Sequence, residues 1–292
     1  MGYLGLGSMF FDGDVLGKLR SSCKPCSLRG DLRYEVKTLE EGKRYEIGQI
    51  DWLESGKGCL SLWTELINGA PPRDANYVAF GDVASGTGAS NSSLRFVRVS
   101  DRTEVASYVS PFITPEEFAR YAVAMCLWFR GQIGYCYLGW EANGPGEPFG
   151  RHVHALGYPY VLGNTDLSVM WEPRQGKRIG WYSTRQSKED LLTDLRSALA
   201  RGEYKTYDDS LVAELEQYVF YEKGGIGPSG LTSEPEGARA AHGDRVISAA
   251  GNILALKQMP KAEKIVDTSP PPRSMAWFTL RDQQAQAQSK FW

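Results

Sequence analysis

The sequence predicts an α/β fold, a mixed sheet flanked by helices and preceded by a β-rich lead-in. Three observations carry this. Tyr77–Asp82 (YVAFGD) is a short apolar run closed by a turn built on Gly81, Gly86 and Gly88, as in a strand buried on both faces. Leu94–Val99 and Glu104–Val109 follow at short spacing and alternate like strands, so the three runs read as an antiparallel meander. Thr114-Pro115-Glu116-Glu117 then opens a helix, with Thr114 as N-cap, proline at the first helical position and Glu117 completing a capping box.

Before Tyr77, Arg33–Leu39 and Arg44–Trp52 alternate around Glu40–Lys43 as a hairpin, and Cys59–Trp63 is a further short strand. Residues 1–71 therefore read as a lead-in or linker, 72–258 as the main domain and 259–292 as a polar tail. The helix opened by Thr114 extends to Phe129. Gly134–Trp140 is a fourth strand, ending at Glu141, and Asn143-Gly144-Pro145-Gly146 turns the chain into a second helix. Strand-like pieces occupy 158–182 and end in the strand Arg178–Ser183. Ser187 caps a helix over Lys188–Ala200, Lys205–Tyr207 is a short strand, and Asp208–Tyr218 is an amphipathic helix. Glu222–Ala241, rich in Gly, Pro, Ser and Glu, reads as a mobile loop before a last helix over His242–Lys257. The order β-β-β-α-β, then further elements and a closing helix, is the ribonuclease H-like plan.

Composition sets bounds on function. Of 292 residues, 42% are hydrophobic and 23% charged, an ordinary globular balance, and the net charge of −2 confines any nucleic-acid surface to a local patch. No apolar run is long enough to span a bilayer, so no membrane association is expected. The five cysteines, Cys23, Cys26, Cys59, Cys126 and Cys136, include one C-x-x-C without a second pair to complete a zinc site, and free thiols are the simpler reading. No G-x-x-x-x-G-K-[ST] is present. The nearest lookalike, Gly56-Lys57, has Asp51 in place of the first glycine and Gly58 in place of the hydroxyl, so no ATP hydrolysis is expected.

The predicted plan brings three acids together: Asp82 at the end of the first central strand, Glu141 at the end of the fourth and Asp244 at the start of the last helix. Singly, each has a simpler reading as a turn residue, a solvated rim charge or a favourable charge at a helix N-terminus. In that order they suit a site for divalent metal, because Mg2+ and Mn2+ prefer hard oxygen ligands and Mg2+ keeps several waters. Two such ions about 3.5–4 Å apart can clamp a phosphoryl displacement. Without metal the acids repel one another and their pKa values should rise. His242 reads equally as a helix-start residue or as one that orients a carboxylate or phosphate. His152 and His154 would share a face on a strand, without a third ligand. Arg174, Lys177 and Arg178, on a predicted hairpin tip, together with Arg151, Arg185 and Lys188, are candidate phosphate contacts or ordinary surface charge.

The stretches YVAFGDVASGTG, TPEEFARY, LGWEANGPG, GWYSTRQSKEDLLTDLRSALARGE and AHGDRVISAAGNILAL together resemble the C-terminal nuclease domain of the large terminase subunit of tailed bacteriophages, over about residues 58–258. The resemblance implies a ribonuclease H-like, metal-dependent endonuclease that cuts double-stranded phage DNA concatemers during genome packaging. It implies Asp82, Glu141 and Asp244 as ligands of one or two Mg2+ or Mn2+ ions. It also implies work in the host cytoplasm with a terminase ATPase domain, a small terminase subunit and a portal; the isolated domain is expected to be a monomer. Two positions depart from the family pattern. Asn91, in ASNSS, stands where many members carry a further acid, and Gly243 replaces the first of two acids after the histidine. The alternatives are a junction-resolvase-type nuclease of the same fold and a weakened packaging or assembly module.

Overall fold

The computed structural model describes residues 8–39, 44–132, 134–164, 179–222, 224–229 and 243–260. The strand that carries the first acid is β4 (Tyr77–Asp82), every residue of which is buried except Asp82, which is partly exposed. The strand alternates strictly. Tyr77 and Ala79 face one hydrophobic cluster, Val78 and Phe80 the other. A strand covered on both faces reads as a continuous apolar run, the pattern visible in the sequence.

β5 (Ser92–Arg98) and β6 (Thr103–Ser110) complete the meander, each antiparallel to its neighbour, and β7 (Tyr137–Trp140) lies parallel to β4 on its other side. The helix between them, α2 (Pro115–Trp128), has the predicted Thr114 cap and the reciprocal capping box with Glu117. The order β6-β5-β4-β7 with this crossover is the ribonuclease H-like arrangement.

The lead-in is joined to this sheet. The hairpin β1 (Leu28–Leu39) and β2 (Arg44–Glu54) pairs through β3 (Leu60–Leu62) onto β6, giving seven strands in the order β2-β1-β3-β6-β5-β4-β7. Ahead of it lies a helix not foreseen in the sequence, α1 (Gly13–Ser22), capped by the Asp12 carboxylate on the backbone N–H groups of Asp14 and Val15.

Helices cover both faces. α2 and α3 (Gly146–Ala155) lie on one; α4 (Arg185–Ala200), α5 (Asp209–Leu215) and α6 (Asp244–Gln258) belong to the other. α6 lies close against β4 because Gly251 has no side chain: a Cβ there would stand 2.1 Å from the Phe80 ring. Ser248 shares a hydrogen bond of 2.8 Å with Ser93, and the Asn252 amide donates to the Arg95 carbonyl at 3.1 Å, fixing α6 along β5.

Several local expectations need correction. The cap of α4 is Thr184, and Ser187 is its reciprocal partner three residues on. Lys205 makes a single bridge to Thr103 where a strand over 205–207 was expected. α5 stops at Leu215, and Tyr218 belongs to a small hairpin, β8 (Tyr218–Phe220) with β9 (Ile226–Pro228). α6 starts at Asp244 because Gly243, at φ 79°, is left-handed and interrupts the helical course. Gly81 is paired inside β4, leaving the turn to Gly86 and Gly88. His152 and His154 lie on α3, where a two-residue step points them apart, and His152 stands 3.8 Å from Glu116. Of the predicted strand Arg178–Ser183, residues 179–183 are described and form no strand; Trp181 makes one isolated parallel bridge to Glu141.

Candidate active site at the strand ends

Strand alternation decides where the acids point. Counting from Val78 and Phe80, Asp82 falls on the face covered by α6. Tyr137 shares that face, so Glu141, four residues on, points the same way. Asp244 begins α6 itself and is buried, with 7% of its surface exposed. Three elements thus deliver one carboxylate each to one corner of the sheet.

Each acid is held by its surroundings. Asp244 accepts the Asn91 backbone N–H at 2.8 Å, with the Ser90 hydroxyl at 3.4 Å. The Asn91 position therefore serves through its main chain, a role that no side-chain motif records. Gly243, which departs from the family pattern, has a steric reason. A Cβ there would lie 2.1 Å from the Tyr218 hydroxyl, and the same hydroxyl donates to the Gly243 carbonyl at 3.3 Å. An acid cannot occupy that position without displacing Tyr218.

Glu141 is placed by the segment that follows it. Its N–H donates to the Gly81 carbonyl at 3.0 Å, continuing the β4–β7 pairing past the strand. Asn143 clamps Ser183, accepting its N–H at 2.6 Å and donating to its carbonyl at 3.0 Å. At Gly146 a Cβ would stand 1.8 Å from the Glu141 carbonyl oxygen, so the E-x-N-G-P-G sequence is a tight return that only glycine permits. On the other side of Asp82, Gly86 and Gly88 have φ of 77° and 89° and pack against the Ile113 backbone and the Phe112 ring, fixing the loop that leads to Ser90 and Asn91.

The electrostatics follow from this assembly. Desolvation, then the charges of Asp244 and Glu141, raise the Asp82 carboxyl well above its ordinary range. Desolvation also raises Glu141, while Lys188 and a hydrogen bond from Ser183 pull it down. Lys188, on the first turn of α4, is the cation that opposes both shifts. Among the described residues nothing donates a hydrogen bond to the Asp82 carboxylate. An underprovided carboxylate facing two more acids has the chemistry of a divalent-cation site, hard oxygen donors with negative charge that one nearby lysine only partly offsets. Among the described residues, however, no group of three or more His, Cys, Asp or Glu side chains is arranged to hold an ion as it stands. The acids are coupled through their charges, and an ion would have to draw them in.

The remaining candidates divide. Arg185 is spent on Glu189 at 3.2 Å, and Arg151 pairs with Glu147 at 2.9 Å. His242, Arg174, Lys177 and Arg178 lie outside the described residues. Among the described residues no helix is long and apolar enough to cross a membrane.

No family model matches this chain, and neither does any curated protein. Among solved structures, it is similar to the large terminase nuclease from thermophilic phage G20c with bound magnesium. That comparison gives 14% identity and a TM-score of 0.48 over 68% of this chain and 89% of that one. The same nuclease with bound cobalt gives 14% and 0.46 over 68% and 89%. The large terminase nuclease domain of Thermus phage P74-26 gives 14% and 0.43 over 68% and 86%.

Proposed function

We propose that this chain is a divalent-metal endonuclease, hydrolysing phosphodiester bonds of double-stranded DNA at the Asp82–Glu141–Asp244 corner. One observation carries the reading: three elements of the fold turn a carboxylate each onto one corner of the sheet, with Lys188 the cation that moderates two of them. A purely structural cluster would be expected to neutralise itself.

In this reading Asp82, Glu141 and Asp244 hold Mg2+ or Mn2+. A bound cation supplies Lewis-acid stabilisation of phosphoryl charge and a more acidic water. The chain's own work is positioning. Asn91 and Ser90 orient Asp244, Ser183 steadies Glu141, and Lys188 is close enough to the acids to meet an incoming phosphate. The finer reading is cutting of phage DNA concatemers during head filling, beside an ATPase domain, a small terminase subunit and a portal. It draws support from the ordered set of sequence motifs.

Plasmid cleavage by the purified chain in Mn2+, Mg2+ or EDTA, beside Asp82→Asn, tests the proposal. Cation-dependent nicking and linearisation, lost in the variant, is the expected result. Full cutting by Asp82→Asn overturns it, and a folded chain that cuts under no cation shifts the reading to an assembly module.

A further inference from the structure

Against the acid corner, on the lead-in side, lies a cavity of about 640 Å3 whose wall includes Arg20, Lys24, Arg29, Cys59, Asn91 and Arg245. Two of these join it to the acids. Asn91 lines the cavity while its N–H holds Asp244, and Arg245 follows Asp244 in α6. We propose that this cavity binds the phosphodiester backbone of the DNA being cut, with Lys24 and Arg29 as its phosphate contacts. The inference rests on the nuclease reading for its ligand.

The argument is one of charge accounting. Arg20 is occupied by Asp209 and by Glu216 at 2.6 Å, and Arg245 by Glu214 at 2.5 Å. Asp208, also on the wall, is matched by Arg95 at 2.7 Å. Lys24 and Arg29 are both exposed and have no carboxylate partner among the described residues; Lys24 rests its ammonium 4.2 Å from the centre of the Tyr207 ring. The cavity therefore keeps two cations without an ion-pair partner among the described residues, beside a corner of three acids. A phosphate chain approaching three carboxylates is repelled by them, and cations on both flanks can hold it there. Lys188 stands on the α4 side, Lys24 and Arg29 on the lead-in side. This gives the β1–β3 extension of the sheet a part in the reaction: β1 begins at Leu28 and so places Arg29 at its root.

The test is binding without cutting. The affinity of a short fluorescent duplex is measured by anisotropy in EDTA across a salt series, for the wild type, Lys24→Gln/Arg29→Gln and the charge-preserving Lys24→Arg/Arg29→Lys. Each lost phosphate contact should flatten the dependence of log affinity on log salt by about one, so the glutamine pair should lose about two and the swapped pair none. In the wild type the duplex should also slow alkylation of the exposed Cys59 thiol by N-ethylmaleimide. Unchanged affinity and slope in the glutamine pair, or alkylation of Cys59 indifferent to DNA, overturns the inference. The two readings fail separately. Cleavage lost in Asp82→Asn with binding untouched by the glutamine pair keeps the nuclease and removes the cavity. Binding lost in the glutamine pair, with no cleavage under any cation, keeps the cavity as a DNA site and removes the hydrolysis.

Discussion

Two sets of charged groups lie on the α6 face of the sheet and are treated in opposite ways. At the strand ends, Asp82 and Glu141 are raised by desolvation and by neighbouring acids, and among the described residues Lys188 is the cation that opposes both shifts. Further along β5, Arg95 is fully buried between Glu104 and Asp208, and Glu104 also accepts the Tyr204 hydroxyl at 2.7 Å. Burial pushes Glu104 up to about 7 and Arg95 opposes the shift, whereas Asp208 ends below its ordinary range through Arg95 despite its burial. The second set is bonded within itself apart from the Arg95 Nε, which has no hydrogen-bond partner among the described residues: Arg95 bridges β5 to β6 and to the N-cap of α5, and Asp208 caps that helix through the Ser210 N–H at 3.0 Å. Acids tied to one shared buried cation hold a fold together. Acids left incomplete on the same face hold a place for something that arrives later.

The sharpest break of this comparison is Asp82→Asn. Cleavage should fall by roughly three orders of magnitude, the loss of several kcal/mol of transition-state stabilisation. Without metal the same variant should melt higher than wild type. The sign follows from the raised carboxyls of Asp82 and Glu141. A carboxyl held above its unfolded value, about 4, contributes stability fully present below that pH, and this contribution is lost as pH rises through the folded value. The metal-free wild type should therefore lose stability from mildly acid to neutral pH more steeply than Asp82→Asn, and Mg2+ or Mn2+ should restore it in the wild type alone. Thermal melts at several pH values, with and without cation, check this; equal slopes would refute it.

Arg95→Met attacks the other set and should have the opposite signature. It leaves Glu104 and Asp208 buried without their cation, at a cost of about 3–5 kcal/mol. Denaturant unfolding measures this, and divalent cation should rescue none of it. Above neutral pH, where the raised Glu104 carboxyl has to lose its proton, adding Glu104→Gln should recover part of the loss, since one stranded charge is removed. A double variant no more stable than Arg95→Met would mean that the bonds, and not the charges, carry the cluster.

Much of this was legible in the sequence, and the parts that were not share a cause. β4, α2 and β7 were readable because each announces itself locally, through an apolar run, a capping box and a strand ending in E-x-N-G-P-G, and α6 was readable apart from its start, where the left-handed Gly243 moves the first turn from His242 to Asp244. The grouping of the three acids followed from the order of those elements. What escaped depends on partners far along the chain. Nothing in Leu60–Leu62 states that it pairs with β6, and so the lead-in looked separate from the sheet that it extends. The Asn91 contribution is a backbone N–H, which has no letter in the sequence. Thr184 and Ser187 are both hydroxyl residues that can cap, and the reciprocal bond between them shows only in three dimensions. Lys24 and Arg29 look like ordinary surface charge until the carboxylates around them are seen to be matched elsewhere.

Lys188→Gln gives the smallest expected effect and the finest test, because it changes the balance of the acid corner without removing an acid. Lys188 lowers both Asp82 and Glu141, so its loss should raise both carboxyls further. Cation-dependent cutting should then need a higher pH to reach its plateau, as the acids must shed their protons before they can hold a metal. At a pH above that plateau the variant should recover most of its hydrolytic rate, while a deficit in DNA affinity persists at every pH if Lys188 also meets phosphate. The pH profile of cleavage and the salt dependence of binding separate these two roles. A profile superimposable on wild type would show that Lys188 does not set the charge balance of the corner, and the contrast with the Arg95 cluster would then rest on the acids alone.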